Sequence, residues 1–332
     1  MTLPPGSTIG IIGGGQLGRM LALAAAPLGY RVHVLAPDET PCAAAVAAHF
    51  TRARFDDAGA LARFASEVDV VTYEFENLPV APLDALGDKL RPGTRSLAIA
   101  QDRAAEKRFI EGSGARVAPW RHVNSLADLR DAVDALGLPM VLKSQRFGYD
   151  GKGQAWVHAP SDAEAAWDSI GRQPAVTEAA VDFIGEFSVE HGILRRSEVP
   201  ATLSGVDEAV AIASRLAELL GHVGVLAVEF FATPDGPLVN EIAPRVHNSG
   251  HWTIEGAETS QFEQHIRAIC GLPLGATTLT GNSVTMDNLI GEDIAAWHRL
   301  IGEPGAHLHF YDKGEARPGR KMGHVTRVRP RA

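Results

Sequence analysis

The first hundred residues alternate short apolar runs with helical segments, and this order constrains the fold more than any other feature. An apolar run at residues 8–12 is followed by a glycine-rich loop, a helical segment to about residue 28, and a second apolar run at residues 31–35. Strands that alternate with helices are typical of a parallel βαβ sheet. A further run at residues 68–73 ends in the polar residues 74–77, where the carboxyl ends of such strands open onto ligands.

Composition excludes several classes of protein. The chain has 332 residues and a formal net charge of -9, so it lacks the general basic surface that nucleic-acid binders need. Its two cysteines, Cys42 and Cys270, form no CxxC pair, which argues against a disulfide framework or a zinc site. The apolar stretch at residues 20–28 is far shorter than the roughly 20 residues that span a bilayer. We therefore expect a cytoplasmic protein of two or three domains that binds neither nucleic acid nor membrane.

The middle of the chain has a different pattern, which predicts an α+β region after a boundary at the proline and glycine of residues 92–93. Strands are predicted at residues 140–143 and 175–181. The helices between them begin at two S-x-x-acid capping patterns, at Ser125 and Ser161.

A third helix is predicted at residues 207–220, and a hairpin follows it. Its strands, residues 225–231 and 237–242, flank a Pro-Asp-Gly turn at residues 234–236. The last sixty residues consist mainly of predicted short strands.

Two glycine-rich loops are candidate phosphate sites. Residues 13–18 fit GxGxxG between a strand and a helix, where backbone amides can hold a phosphate. Asp38 lies about 20 residues further on and keeps a dinucleotide site open, beside a mononucleotide phosphate or a purely structural turn. Residues 147–154 contain three glycines and Lys152, and Lys143 lies upstream at a strand end, where it can contact nucleotide phosphates. A plain hairpin would also explain the second loop, but the loop and the lysine together indicate ATP.

Two glutamates of the hairpin form a candidate metal site. Glu229 and Glu241 are each six residues from Asp235, so a hairpin symmetric about Asp235 makes them cross-strand neighbours. Two carboxylates about 5 Å apart repel by roughly 3 kcal/mol at an effective dielectric of about 20, a cost that a divalent cation reverses. Asn240 adds an oxygen donor, and such ligands beside phosphates favour Mg²⁺. The alternative is a solvated acidic strand face.

Two polar segments complete the set of candidate sites. Arg245, His247 and Asn248 lie within four positions directly after the hairpin, and together they can bind a small anion such as bicarbonate and stabilise developing charge. Lys313 and residues 317–321 form a compact basic patch in an acidic protein. A substrate phosphate or a solvated basic turn would explain that patch.

In four motifs the chain resembles the N5-carboxyaminoimidazole ribonucleotide synthetases, a family of ATP-grasp ligases. The motifs are GQLGRM at residues 15–20, GYDGKGQ at 148–154, NEIAPRVHNSGHWT at 240–253 and RPGRK at 317–321. The resemblance implies an ATP-grasp fold of mixed α/β and α+β class. Its parts would be an N-terminal parallel-sheet domain (1–98), an ATP-grasp domain that holds ATP between two sheets (99–272) and a small C-terminal β-rich domain (273–332).

The resemblance also implies a reaction and its partners. Aminoimidazole ribonucleotide, bicarbonate and ATP would give the N5-carboxylated ribonucleotide, ADP and phosphate in purine biosynthesis, with Mg²⁺ as cofactor and a homodimer as the assembly. Bicarbonate would attack the γ-phosphate to form carboxyphosphate, which delivers its carboxyl group, directly or as CO₂, to the exocyclic amine. Positioning and charge stabilisation would be the main contributions of the protein.

Site residues follow from the same motifs. The residues implied for ATP binding are Arg103, Lys143, Gly148, Tyr149, Asp150, Gly151, Lys152, Gly153, Gln154, Glu178, Ala179, Ala180, Val181, Glu186, Asn240 and Glu241. Those implied for ribonucleotide binding are Gln16, Leu17, Tyr149, Asp150, Lys152, Lys313, Arg320 and Lys321. Arg245, His247, Asn248, Asp150 and Lys313 are the implied catalytic residues, and Glu229 and Glu241 the implied Mg²⁺ ligands.

The chain departs from the family pattern at one point. Only five residues separate Glu186 from Gly192, whereas the family pattern has a longer strand pair there that carries an ATP-contacting histidine. His191 is not matched to that histidine. Either the protein lacks this segment, which would weaken one wall of the nucleotide site, or the sequence omits residues that the protein contains.

Three other functions compete with this one. A nicotinamide-dependent oxidoreductase would explain GxGxxG and Asp38, but it leaves the paired glutamates and the second glycine loop without a role. The other two are an ATP-grasp ligase with a different acceptor and a catalytically silent nucleotide-binding regulator.

Overall fold

The computed structural model describes residues 2–148, 153–182, 189–190, 193–201 and 203–331. The first part forms a sheet of four parallel strands in the order β3-β2-β1-β4, which confirms the predicted parallel segment. Its strands are β1 (Thr8–Ile12), β2 (Arg31–Ala36), β3 (His49–Arg52) and β4 (Val70–Tyr73). Its helices are α1 (Gln16–Ala25), α2 (Ala58–Ser66), α3 (Val80–Asp84) and α4 (Thr94–Ala100).

The middle of the chain forms an antiparallel sheet of four strands and a separate hairpin. The strands are β5 (Trp120–Val123), β6 (Met140–Ser144), β7 (Gln154–Val157), β8 (Ala175–Ala179), β9 (Val189–Glu190), β10 (Ile193–Leu194), β11 (Arg196–Val199), β12 (Ala227–Thr233) and β13 (Gly236–Ala243). The helices are α5 (Arg103–Gly112), α6 (Leu126–Leu136), α7 (Ala163–Ser169), α8 (Val206–Leu220), α9 (Thr253–Gly256) and α10 (Gln261–Ile269). The sheet has the order β5-β8-β6-β7, and β12 pairs with β13.

The last part adds three strands and one helix, namely β14 (Ser283–Ile290), α11 (Trp297–Leu300), β15 (Ala306–Phe310) and β16 (Lys321–Arg329). The antiparallel sheet has the order β11-β14-β16-β15, so a strand from the middle of the chain completes it. Among the described residues, no helix is long and apolar enough to cross a membrane.

Two apolar cores cover the faces of the parallel sheet. On one face, α1 contributes Leu17 and Leu21, and α10 contributes Phe262 and Ile266. Burial of such side chains is the main favourable contribution to folding. Because α10 begins shortly after residues 244–252, this packing brings that polar loop toward the loops that follow β1 and β4.

A third core orients the four-stranded sheet. Met140 and Leu142 pack with Leu129 of α6 and Trp167 of α7 on one face of this sheet. Side chains alternate between the two faces of a strand, so Lys143 projects to the other face. We call it the ligand face, because the sequence predicts that Lys143 contacts nucleotide phosphates there.

The register of the hairpin differs from the prediction, although the predicted pair forms. Thr233 pairs with Gly236 across a two-residue turn, and with this register Glu229 would oppose Asn240. A β-bulge after Glu229 shifts the register by one residue, so Glu229 opposes Glu241. The prediction of a hairpin symmetric about Asp235 was therefore wrong. The bulge makes the two glutamates cross-strand neighbours.

Helix caps confirm one predicted start and correct the other. The Ser125 side chain accepts a hydrogen bond from the amide of Asp128 at 3.1 Å, as the capping pattern predicts. Ser161 caps no helix, because α7 begins at Ala163 and the neighbouring Asp162 carboxylate accepts bonds from the amides of residues 158 and 159 instead. A 3-10 turn at Pro160–Asp162 precedes α7, so Ser161 already lies within the helical entry and not at an extended N-cap position.

A buried histidine joins three segments that are distant in sequence. His265 of α10 is fully buried, its Nε2 lies 2.8 Å from the Thr72 hydroxyl, and its Nδ1 accepts from the Val225 amide at 3.1 Å. Because Nδ1 is an acceptor, the proton of the neutral ring is on Nε2 and faces Thr72. Burial lowers the pKa of His265 to about 3.

This pKa predicts acid sensitivity. An unfolded histidine titrates near pH 6.5, so the unfolded chain binds one more proton than the folded chain between that pH and about 3. The contribution of His265 to stability is complete above about pH 6.5, and by pH 5 about 2 kcal/mol of it is lost. We expect His265→Gln to lower the free energy of unfolding at pH 7 and the deficit to shrink at pH 5, measured by urea titration. His307→Gln, at an exposed site, is the control, and an equal deficit at both pH values would contradict the prediction.

Candidate active site

The first glycine loop binds a side chain of the protein itself. The carboxylate of Glu74, just after β4, accepts hydrogen bonds from the amides of Gly15 (2.8 Å) and Gly18 (3.4 Å). These are the amides that a dinucleotide phosphate would use at the start of α1. The prediction that these two amides hold a phosphate was therefore wrong, because Glu74 occupies them. The nicotinamide-dependent oxidoreductase loses its main support.

The same loop nevertheless meets the C-terminal part of the chain. The Lys313 ammonium donates a hydrogen bond to the side-chain oxygen of Gln16, across almost the whole length of the sequence. Lys313 and Arg320 line a cavity of about 790 Å³ together with Gly15 and Asp38. Two predicted ribonucleotide contacts, Lys313 and Arg320, thus share one cavity. The side chain of Leu17 is buried in the core, so only its backbone can face a ligand.

A largely buried ion pair joins the segment after β4 to the polar loop. Arg245 pairs with Glu76, which follows β4 two residues after Glu74. Burial opposes both charges, but the Arg245 guanidinium keeps the pKa of Glu76 below its usual value. Arg245 also lies near Glu74 and Glu241, whose charges help to raise its own pKa.

His247 is a neutral hydrogen-bond donor. Burial and the charge of Arg245 lower its pKa to about 4. Its Nδ1 accepts from the backbone amide of Ser249 at 3.3 Å, which leaves the proton on Nε2, 3.4 Å from the Glu229 carboxylate. His247 therefore faces the predicted metal ligands without adding a positive charge.

Asn248 is held by a residue that the sequence did not indicate. Its carboxamide forms a reciprocal pair of hydrogen bonds with Asn288 of β14, at 2.9 and 2.8 Å, and both side chains are buried. A ligand could therefore bind Asn248 only through the donors and acceptors that are not used in this pair. The predicted contact of Asn248 with bicarbonate stays a prediction.

The paired glutamates lie within a group of charges. Arg103 of α5 donates to Glu241 at 3.0 Å and to the carbonyl of Gly148 at 3.3 Å, so it connects the hairpin to the second glycine loop. Burial in the cleft and the nearby Glu241 raise the pKa of Glu229 to about 7. Burial also opposes the charge of Glu241, but Arg103 and Lys143 outweigh it and lower the pKa of that group.

Lys107 is a buried cation that the sequence reading missed. Its ammonium binds the Glu178 carboxylate at 2.9 Å and the Asn240 carbonyl at 3.1 Å. Lys143 binds the other Glu178 oxygen at 3.0 Å, and the two lysines overcome the effect of burial to lower the pKa of Glu178 to about 2. Arg103 and Lys107 are four residues apart on α5, and this spacing on one helix face was the available signal.

The remaining predicted contacts are only partly described. The amides of Ala179 and Ala180 donate to the carbonyls of residues 119 and 139, and Val181 follows them beyond the end of β8. Gly153 and Gln154 return from the second glycine loop into β7. Tyr149, Asp150, Gly151, Lys152, Glu186 and His191 lie outside the described residues. Within the described ranges, no cluster of three or more histidine, cysteine, aspartate or glutamate side chains has the arrangement of a metal site.

Family models match three consecutive parts of the chain. A ribonucleotide synthetase preATP-grasp domain matches residues 6–101, and a phosphoribosylaminoimidazole carboxylase C-terminal domain matches residues 284–332. An ATP-grasp domain matches in two pieces, residues 108–191 and 189–262. The break between the pieces coincides with the short segment after Glu186.

Relatives of known name cover nearly the whole chain. An N5-carboxyaminoimidazole ribonucleotide synthase from Brucella melitensis is 47% identical over 357 aligned positions, which cover 99% of this chain and 98% of the relative. The alignment is longer than the 332 residues of this chain, so part of it has no counterpart here.

Solved structures show the same fold. The ADP complex of an N5-carboxyaminoimidazole ribonucleotide synthetase has a TM-score of 0.93 and 42% identity, and covers 98% of this chain and 93% of that one. A synthase from Aspergillus clavatus, in complex with ADP and the aminoimidazole ribonucleotide, has a TM-score of 0.90 and 30% identity, with coverages of 98% and 95%. The chain therefore belongs to the N5-carboxyaminoimidazole ribonucleotide synthase family, and its fold is the ATP-grasp fold with a parallel N-terminal sheet and an antiparallel C-terminal sheet.

Proposed function

We propose that this chain joins 5-aminoimidazole ribonucleotide, bicarbonate and ATP to give N5-carboxyaminoimidazole ribonucleotide, ADP and phosphate. The observation that carries the proposal is the position of Arg245. Its charge acts on Glu241 on one side and on Glu74 on the other, and Glu74 in turn lies near Lys313. One guanidinium thus connects the predicted ATP side with the predicted ribonucleotide side, as a reaction that passes a group between two bound substrates requires.

Lys143 and Arg103 fit the ATP side of this reaction. Lys143 lies on the ligand face of the four-stranded sheet, where its ammonium can bind nucleotide phosphates, and Arg103 contacts the start of the second glycine loop. Both cations are paired with carboxylates of the protein, so bound phosphates would share these cations with Glu241 and Glu178. The contacts of residues 149–152 and Glu186 with ligands are part of the proposal through the family resemblance alone.

Arg245 and His247 fit the transfer step. An oxygen of bicarbonate attacks the γ-phosphorus and ADP leaves, which gives carboxyphosphate. The exocyclic amine then attacks the carboxyl carbon, phosphate leaves, and the proton that the amine nitrogen loses passes to that phosphate. Both steps concentrate negative charge on oxygens. A guanidinium and a neutral Nε2–H donor stabilise that charge, and neither has to change its protonation state. Lys313 and Arg320 would hold the ribonucleotide phosphate in the cavity that they line, with Gln16 and Lys321 nearby.

Glu229 and Glu241 fit a divalent cation. Burial and the neighbouring carboxylate raise the pKa of Glu229 to about 7. A bound cation would favour the ionised carboxylate and so remove the cost of charging it. The side-chain oxygen of Asn240 is buried and accepts no hydrogen bond from the described residues. These three oxygen donors would hold Mg²⁺, which would screen the charge of the transferred phosphoryl group. The proposal includes a cytoplasmic homodimer, for which the family resemblance is the support.

The reaction itself is the first test. The purified chain should release ADP from Mg-ATP and bicarbonate only when aminoimidazole ribonucleotide is present, measured by a coupled ADP assay. Arg320→Ala combined with Lys321→Ala should raise the KM for the ribonucleotide at least tenfold, because about two charge-assisted phosphate contacts are lost. Arg130→Ala, at an exposed position on α6, is the matched control. Release without the ribonucleotide, or an unchanged KM in the double variant, would contradict the substrate assignment.

The second test follows the proton on Glu229. Near pH 7 this carboxyl is about half protonated, and a bound cation lowers its pKa, so binding of Mg-ATP should release up to about half a proton per chain. Calorimetry in two buffers of different ionisation enthalpy measures this number. Binding of Mg-ATP and binding of ATP without Mg²⁺ should differ in the number of protons released. Glu229→Gln should abolish this difference. Equal proton release in the wild type and the variant would remove Glu229 from the metal site.

The third test concerns Lys107. Lys107→Met leaves the buried Glu178 carboxylate with one partner instead of two, and removal of one member of a buried ion pair costs about 3–5 kcal/mol of stability. Adding Glu178→Gln to this variant should restore part of the loss, because it removes the uncompensated charge. Urea unfolding at pH 7 gives both values, with Arg54→Met in an exposed pair as the control that changes little. A double variant less stable than Lys107→Met would contradict the pairing.

A further inference from the structure

Trp156 is an exposed tryptophan on the ligand face of the four-stranded sheet. Its neighbours along β7, Ala155 and Val157, pack with the core under α6 and α7. Because side chains alternate along a strand, Trp156 projects to the opposite face, and 52% of it is exposed. Burial of this ring against a ligand would be favourable, because an indole carries a large apolar surface.

The strand register places the indole at the base end of the proposed nucleotide site. Val141 of β6 pairs with Glu178 on one side and with Trp156 on the other. These three side chains therefore form a row across one face of the sheet. The next row contains Lys143 and Gln154, which pair with each other.

The two rows distinguish the two ends of the nucleotide. Lys143 and the glycine loop before Gln154 are the proposed phosphate contacts, so the phosphates lie over the second row. The row of Val141 and Trp156 is two residues further along each strand, about 7 Å away. It lies toward residues 179–181, the predicted wall of the adenine pocket, because Met140 pairs with Ala179. A base attached to those phosphates must extend in this direction.

The indole is already supported on one side. The ring of His158 stacks against Trp156 with a centroid distance of 5.5 Å and an interplanar angle of 11°. This contact restricts the rotation of the indole before any ligand binds, which reduces the entropy lost on binding.

We propose that Trp156, supported by His158, forms a stacking wall for the adenine base of ATP. The proposal rests on the nucleotide site described above and assigns it a further residue. Stacking between a base and an aromatic side chain contributes strongly to affinity and makes little distinction between bases. The wall would therefore supply affinity for the nucleotide. This affinity matters here because the segment after Glu186 is shorter than in the family pattern. Discrimination of adenine would come from the backbone at residues 179–181.

The test separates binding of nucleotide from the later chemistry. Trp156→Ala should raise both the Kd for ADP and the KM for ATP about tenfold, equivalent to about 1.4 kcal/mol, while kcat and the KM for the ribonucleotide change less than twofold. Trp156→Phe should retain most of the affinity, because it keeps an aromatic face. ADP should also quench the tryptophan fluorescence of the wild type, and this quenching should be lost in Trp156→Phe.

A matched control and two distinct failures complete the design. Trp297 of α11 is also an exposed tryptophan in contact with a histidine ring, that of His298, and Trp297→Ala should leave all constants unchanged. An unchanged Kd for ADP in a folded Trp156→Ala protein, with the circular dichroism of the wild type, overturns the stacking wall. If the wild type fails to release ADP with the ribonucleotide but the Kd for ADP still depends on Trp156, the proposed reaction is wrong and the wall is supported.

Discussion

The buried ammonium of Lys107 is the interaction on which the two halves of the nucleotide site depend. It donates at 2.9 Å to Glu178 of the four-stranded sheet and at 3.1 Å to the backbone carbonyl of Asn240 in the hairpin. Asn240 is the extra residue of the β-bulge, so its carbonyl is free of the hairpin ladder and can accept this bond. The same bulge brings Glu229 opposite Glu241. One irregularity in one strand thus fixes both the contact between the sheets and the pair of carboxylates proposed to bind a metal.

Carboxylates of the candidate site differ in pKa according to the cations within reach. Glu178, between two lysines, has a pKa of about 2, whereas Glu229 has one of about 7 because burial and Glu241 dominate. Glu106 is fully buried near Glu241, and both effects raise its pKa to about 8. The hydrogen bond that it accepts from the amide of Ile242 at 2.7 Å acts in the opposite direction but is outweighed. Like charges held together in this way cannot all ionise. The site is therefore arranged so that a bound cation would change the protonation of the protein as well as its charge.

Local patterns predicted the parallel strands, the helix that begins after Ser125 and the hairpin, because each depends on neighbours within a few residues. The parts that escaped prediction depend on distant contacts. Glu74 reaches the amide of Gly15 across 59 positions, and nothing in GxGxxG itself distinguishes a loop that binds a phosphate from one that binds a carboxylate of its own chain. Asn248 and Asn288 are 40 positions apart, and only the fold brings their carboxamides together. The motifs indicate which stretches of the chain carry the candidate site residues, but they could not show which of these polar groups the protein already uses.

The C-terminal sheet has a direct part in forming the site. Its strand β14 carries Asn288, which holds the polar loop through Asn248, and the pairing of β11 with β14 begins one residue away. There Arg196 contacts Asp287 at 2.5 Å across the two strands. β10 and then β11 follow the short segment after Glu186, and β11 is held against β14 by its strand register and by this ion pair. The position of Asn288 therefore depends on contacts that β11 makes after that segment, and these contacts do not require the longer strand pair of the family pattern.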